Sequence, residues 1–262
     1  MTTLTQPELL TSDWEAVAPG SRLRQADWLA AASSLEAASI DLVYVDPPFN
    51  SGRTRVDRAG AFEDAWPTIE DYLDWLRPRL AATARVLRPT GAVLLHLDQR
   101  VSHRARVLLD DMFGADCFVN HLIWSYGLGG SSARRFARKH DDILFYCVDP
   151  DRYWFDPPRV PATSRRMAGQ TKKATDIIDI PSLNNMAKER VGWPTQKPLE
   201  LLRFLIGACC PPDGVVYDPC CGSGTTLVAA QQLDRDAMGS DLSADALSIA
   251  RSRLFSLTRS TN

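Results

Sequence analysis

Ile40-Asp41-Leu42-Val43-Tyr44-Val45-Asp46-Pro47-Pro48-Phe49-Asn50-Ser51-Gly52-Arg53 is the stretch around which the 262-residue chain is organised. Its first six residues are short, mostly apolar and rich in β-branched side chains, the pattern of a strand buried in a parallel sheet. Two prolines then stop the strand, because proline has no N–H for a ladder and a fixed φ. The backbone leaves the sheet in a rigid turn. That turn presents an acid, carbonyls and an aromatic ring at the strand's carboxyl end, where open α/β sheets bind their ligands.

Such a turn suits chemistry on an exocyclic amino group of a nucleobase. That nitrogen is a poor nucleophile because its lone pair is delocalised into the ring. A carboxylate and a carbonyl are acceptors and can take its two hydrogens, drawing it towards a tetrahedral geometry. Asp46 and the Pro47 carbonyl supply those acceptors, Pro48 stiffens the turn, and Phe49 offers a face for stacking. The plain alternative is a strand-ending turn without chemistry. Asp156-Pro157-Pro158 reads that way, since no apolar strand of comparable length precedes it.

A second stretch decides between the two. Val215-Val216-Tyr217-Asp218-Pro219-Cys220-Cys221-Gly222-Ser223-Gly224-Thr225-Thr226 runs from a strand through a glycine turn into a helix expected over 227–233. The free N–H groups and positive dipole end of the helix face the turn, and Gly222 and Gly224 permit close backbone approach. Ala237 to Asp241 is a further short strand ending in an acid, placed to accept from a ribose diol. The turn lacks the lysine of a P-loop, and Leu227 stands where a dinucleotide motif has its third glycine. Asp218 would repel a pyrophosphate but could meet a cation. An amino-acid-bearing nucleoside, S-adenosylmethionine, fits these features better than a dinucleotide.

Around these anchors, residues 11–20 look irregular and Arg22 to Asp27 reads as a short strand ending in an acid. Trp28 to Ala38 reads as a helix, and 53–60 as a mobile polar loop. Ile69 to Leu87 has helical spacing that Pro78 should kink or divide. Pro89-Thr90-Gly91 is a turn before a strand over 92–98, and a helix follows over 102–112. Segments 118–126 and 142–148 read as antiparallel strands joined by a basic stretch, with His140 as fit for a structural as for a catalytic role. Between 149 and 193 the pattern weakens. Pro198 then opens a helix over 199–209, and another closes the chain over 243–254.

Hydrophobic content of 45% and charged content of 24% are those of an ordinary globular protein, and no apolar run is long enough to span a membrane. With no signal-peptide pattern at the start, a cytoplasmic, nucleoid-associated location is expected. The six cysteines include two adjacent pairs and no metal-ligand spacing, so reduced, mostly buried thiols are expected and no metal. Residues 1–130 carry 12 basic and 17 acidic side chains, 131–197 carry 13 and 8, and 198–262 carry 5 and 7, so the net charge of −2 hides a basic middle. Arg134, Arg135, Arg138, Lys139, Arg165, Arg166, Lys172 and Lys173 lie there; with Arg53 and Arg55 they form a candidate phosphate-binding set. A solvated surface is the plain reading of the same residues.

Taken together, the motifs resemble those of the β-class amino-group DNA methyltransferases, in which the catalytic motif precedes the cofactor motif. The resemblance covers residues 20–255. Asp46-Pro47-Pro48-Phe49 matches the catalytic motif, and Asp218 to Gly224 the cofactor loop. Thr195-Gln196-Lys197-Pro198 matches the element beside the methionine part of the cofactor, Asp241 the ribose acid, and Asp27 the acid at the adenine. Pro219, Cys220, Ser223, Thr225 and Leu242 complete the cofactor set that the resemblance implies. The implied fold is an α/β, Rossmann-like methyltransferase sheet of seven mostly parallel strands with one antiparallel strand, in circularly permuted order. Residues 20–148 and 194–256 would form its two halves, with a small target-recognition insert at 149–193.

The implied activity is flipping of a base out of duplex DNA and direct in-line methyl transfer. Asp at the first motif position leans towards adenine N6, and cytosine N4 is the nearest alternative. Methylation of protein or RNA, and a DNA-binding module with a decayed site, stand further off. The short recognition stretch suggests a short site, a homodimer, or a partner such as a cognate restriction endonuclease.

Overall fold

The structure, a computed structural model, describes residues 13–127, 132–163, 166, 168–184 and 186–260. Strands β1 (Glu15–Ala18) and β2 (Ser21–Gln25) pair antiparallel around Gly20. The segment expected to be irregular therefore adds an edge strand, whose four residues are too few to show a period. Helix α1 (Trp28–Ser33) is capped by Asp27 and stops short of the expected 38. β3 (Ile40–Val45) is buried at every position. In place of a mobile loop, β4 (Arg53–Asp57) and β5 (Gly60–Asp64) form an antiparallel hairpin.

Helix α2 (Ile69–Val86) starts in a capping box of Thr68 and Asp71 and runs through Pro78 undivided. An interior proline costs about 3 kcal/mol, and the buried face of Tyr72, Leu76, Leu80 and Val86 holds the two halves in line. β6 (Leu87–Leu97) contains the expected Pro89-Thr90-Gly91 turn as a bulge: its register on β3 jumps from Ile40 opposite Leu87 to Leu42 opposite Ala92. After α3 (Ser102–Phe113), β7 (Phe118–Ser125) and β8 (His140–Cys147) pair antiparallel, as their pattern implies.

The weakly patterned region yields a small hairpin of β9 (Arg159–Pro161) and β10 (Thr171–Lys173), and then β11 (Ile177–Asp179), which docks parallel on β7. Helix α4 (Leu199–Cys209) starts after Pro198. β12 (Val215–Asp218), α5 (Thr225–Gln232), β13 (Asp236–Asp241) and α6 (Ala244–Ser260) complete the chain.

Among the described residues, nine strands form the main sheet in the order β1-β2-β13-β12-β3-β6-β8-β7-β11. From β2 to β7 this is a seven-stranded sheet whose one reversed member is β8, flanked by the added edges β1 and β11. The order carries the permutation: β2, from the start of the chain, lies parallel beside β13 from its end, with Gln25 opposite Asp241. Side chains alternate between two cores. Val43, Val45 and Tyr217 pack with residues of α1, α2 and α3, while Leu42, Tyr44 and Val216 pack with residues of α4, α5 and α6. Burial on both faces explains why these strands read as continuous apolar runs. Among the described residues no helix is long and apolar enough to cross a membrane.

The exception within β3 is Asp41, which is 5% exposed. Its Oδ2 accepts 2.5 Å from Arg88 and 2.8 Å from the Val215 N–H, joining β6, β3 and β12 at their amino ends. An alanine there would orphan a buried N–H and free a partly buried guanidinium. Asp41→Ala should therefore lower unfolding free energy by about 2–3 kcal/mol, and Asp41→Asn, which keeps an acceptor, by about half as much. Urea denaturation curves of the two variants measure the difference.

Candidate active site

Pairing of β12 with β3 places the glycine turn and the proline turn at the same end of adjacent parallel strands. There they border a cavity of about 930 Å³. On the β3 side, Asp46 Oδ2 is hydrogen-bonded by the Lys197 ammonium. Asp46 Oδ1 is buried and has no partner. Phe49 lies nearly parallel to the His96 imidazole, with centroids 5.9 Å apart and planes at 23°. Lys197 Nζ is 5.3 Å from the centre of the Phe49 ring. The chain is pinned as it leaves this turn: Asn50, at φ +54°, accepts 2.8 Å from the Trp66 N–H, and Ser51 donates 2.5 Å to Asp64.

His96 belongs to a buried network behind Phe49. Its Nδ1 is 2.8 Å from the Tyr44 hydroxyl, and its Nε2 is 3.3 Å from Asp141 Oδ2. Tyr126 donates 3.3 Å to the other oxygen of Asp141, and Trp124 meets the imidazole edge-on at 5.5 Å. Burial pushes Asp141 up, but the hydrogen bond and charge of His96, then the charge of Lys197, outweigh it and leave the carboxyl below its ordinary range. The ring proposed for stacking thus rests on a fixed base.

On the β12 side, Gly222 and Gly224 take φ +50° and +77°. A Cβ at Gly222 would fall 2.8 Å from the Trp193 indole nitrogen, and one at Gly224 would fall 2.7 Å from Ala250 Cβ, so only glycine fits either position. Gly224 packs on α6 behind the loop and does not line the cavity. Asp218 is 2% exposed. Burial raises it to about 7, against hydrogen bonds from the Thr226 side chain and the Cys220 N–H. It is a buried acid next to open space, suited to a cationic ligand.

Asp241 accepts 2.9 Å from the Gly222 N–H on one oxygen and 2.9 Å from the Ser243 N–H on the other, which ties the turn to β13. Burial raises its carboxyl too. Each oxygen keeps a lone pair for a further donor. Asp27 also has structural work: besides capping α1, it pairs at 2.6 Å with Arg79, whose guanidinium stacks 4.3 Å over Trp75.

In the Thr195-Gln196-Lys197 element, Thr195 is held at φ +58°, a costly conformation for a β-branched residue. The Gln196 amide is spent on the backbone, accepting 2.9 Å from the Val191 N–H and donating 2.8 Å to the Glu189 carbonyl. It shapes the loop, and Lys197 turns to Asp46. Pro47, Pro48, Pro219, Cys220, Ser223, Thr225 and Leu242 line the cavity with the residues above. All six cysteines are free thiols, and only Cys220 is less than fully buried.

The basic candidates are not gathered in this way. Arg55 lines the cavity and pairs at 3.4 Å with Asp64, while Arg53 is exposed on the same hairpin. Arg134, Arg135 and Arg138 are exposed in the β7–β8 connection, where Lys139 donates 2.8 Å to the Gly127 carbonyl. Lys172 and Lys173 lie on β10, Arg166 is exposed, and Arg165 lies outside the described residues. Side chains that the motifs do not flag include Trp193, which lies between Gly60 and Gly222, and the His96–Asp141 pair. Asp98 had a usable signal, since it follows β6 and lines the cavity much as Asp46 follows β3.

Residues 40–252 match the DNA methylase family N6_N4_Mtase. In sequence the chain is 29% identical to the type II methyltransferase M.ScaI of Streptomyces caespitosus, over 88% of this chain and 80% of the relative. Its fold is similar to that of the PvuII DNA methyltransferase, described as cytosine-N4-specific, with a TM-score of 0.70, 16% identity, and coverage of 90% of this chain and 86% of the other. It is also similar to M1.HpyAVI in complex with SAM, with a TM-score of 0.64, 20% identity, and coverage of 89% and 98%. The family match spans both motif turns and the sheet between them, and the chain belongs to the N6/N4 amino-group family of DNA methyltransferases.

Proposed function

We propose that this protein transfers a methyl group from S-adenosylmethionine to the N6 amino group of adenine in duplex DNA. The observation that carries the reading is Asp46, a residue that lines the cavity, with one oxygen held by Lys197 and the other buried without a donor. An unpaired buried acceptor is costly unless a ligand supplies the missing hydrogen. The amino group of a flipped base supplies one to Asp46 Oδ1 and a second to the Pro47 carbonyl, while Phe49 stacks on the base.

S-adenosylmethionine, when bound, supplies an electrophilic methyl on a cationic sulfur. In this reading its charged methionine part lies by Asp218, Thr195 and the Gly222 loop and its nucleoside by Asp241 and Asp27, all residues that line the one cavity. The residues present fit such a group, with the buried acid Asp218 and the turn residue Gly222 both bordering the cavity. What the chain contributes is alignment of two reactants and acceptors for charge growing on the amino nitrogen. The connections bearing Arg53 and Arg134 to Arg138 spring from elements that line the cavity, which supports duplex DNA lying across them. The choice of adenine rests on Asp at the first motif position.

Incubation of unmethylated genomic DNA with methyl-labelled S-adenosylmethionine, followed by nucleoside chromatography, should put the label in N6-methyladenine. Label in N4-methylcytosine would keep the mechanism and overturn the base. Asp46→Ala should reduce single-turnover transfer by at least about 100-fold and leave cofactor affinity within about threefold. Near-native turnover would remove Asp46 from the mechanism.

A pH dependence follows from Asp218. It is neutral below about 7 and charged above, and a cationic ligand favours the charged form. Cofactor affinity measured by calorimetry should therefore rise from pH 6 to pH 8, by roughly tenfold, and Asp218→Asn should flatten the slope.

A further inference from the structure

The resemblance assigns Lys197 to the cofactor, but its contacts lie elsewhere. We propose that Lys197 is a positioning residue for the catalytic acid, engaging one carboxylate oxygen of Asp46 so that the other alone faces the target amino group. This inference rests on the methyl-transfer reading.

The Lys197 and Asp46 side chains are 10% and 17% exposed, so the pair lies largely out of water. A carboxylate with both oxygens unengaged can rotate and offer either one; with Oδ2 held by Lys197, the unpaired Oδ1 is the oxygen left for a ligand. An ammonium suits this task because it has three donors and no acceptor. It can hold the acid without competing for the substrate's hydrogens. The same ammonium lies 5.3 Å from the Phe49 ring centre, so one cation relates the acceptor to the stacking face.

Lys197 is itself well fixed. Gln196, beside it, is hydrogen-bonded at both ends of its amide to Glu189 and Val191, and α4 begins two residues later at Leu199. Acids surround the cavity, with Asp64, Asp98, Asp141 and Asp218 all lining it besides Asp46. A cation at this point offsets the repulsion among them.

The test separates the acid from the cofactor. Lys197→Met and Lys197→Arg are compared with the wild type in S-adenosylmethionine affinity, by calorimetry, and in single-turnover transfer to duplex DNA at saturating cofactor. Lys197→Met should lose transfer roughly 100-fold and keep cofactor affinity within about threefold, while Lys197→Arg should recover a substantial part of the rate.

A Lys197→Met protein that binds the cofactor about tenfold more weakly, yet transfers at the wild-type rate once saturated, would overturn the assignment. So would an unchanged rate with unchanged affinity. If Lys197→Met loses its cooperative melting transition, Lys197→Gln, which can hydrogen-bond Asp46 without a charge, is measured in its place. A wild type that labels no DNA sinks the methylation reading separately. The affinities still decide in that case, because a tenfold loss in Lys197→Met would return the lysine to the cofactor.

Discussion

The structure depends on one backbone contact, the parallel ladder between β3 and β12, in which Leu42 faces Val216 and Tyr217 follows in register with Val43. These residues are separated in sequence by most of the chain, and neither turn alone makes a site. The ladder sets the proline turn and the glycine turn side by side at the carboxyl ends of their strands, where the sheet order changes direction. Asp41, with a hydrogen bond to the Val215 N–H, fastens the opposite end of the same pair. Slippage by one residue would exchange the two cores for every side chain of β12. The fit of Tyr217 in one core and of the smaller Val216 in the other, with the buried Tyr217–Ser240 hydrogen bond, opposes it.

From that constraint the site is assembled by layers of support. Asp46 and Phe49 face the cavity, His96 and Lys197 hold them, and Asp141, Tyr44 and Gln196 hold those in turn. Such buried polar networks are stable only when almost every member is paired. Against that background two carboxyl oxygens at the cavity, Asp46 Oδ1 and Asp64 Oδ1, are buried without a partner. Thr195 adds a second departure from rest, with a β-branched residue in the left-handed region beside the same cavity. Local strain of this kind collects where a site has to be shaped.

Much of this was legible in the sequence, and for identifiable reasons. The runs 40–45 and 215–218 are apolar because their strands are covered on both sides, and the prolines and glycines after them have few roles besides the turns they make. Spacing along the chain said less where the partner lies far away. Residues 15–18 become a strand only because β2 is there to receive them. The 53–64 hairpin looks like a charged loop because Arg53, Arg55, Asp57, Glu63 and Asp64 break up its apolar residues, and an exposed position carries Val56 while Arg55 turns to the cavity. Pro78 stays inside a helix because tertiary burial exceeds a local penalty. Lys197 reads as part of a motif of four, and only the fold reveals that its ammonium reaches back 151 residues to Asp46. The His96–Asp141 pair was invisible for the same reason, since it exists only once β6 and β8 lie antiparallel.

Trp193 has a meaning beyond its place in the cavity wall. Its ring occupies the space that a side chain at Gly60 would need, at 2.3 Å, and its indole nitrogen the space of one at Gly222, at 2.8 Å. Three positions, from the hairpin, the cofactor turn and the loop before Thr195, therefore share one volume. Substitutions at 60 and 193 are therefore coupled: a larger residue at 60 fits only after the indole has shrunk, whereas Gly222, at φ +50°, stays strained by any side chain whatever stands at 193.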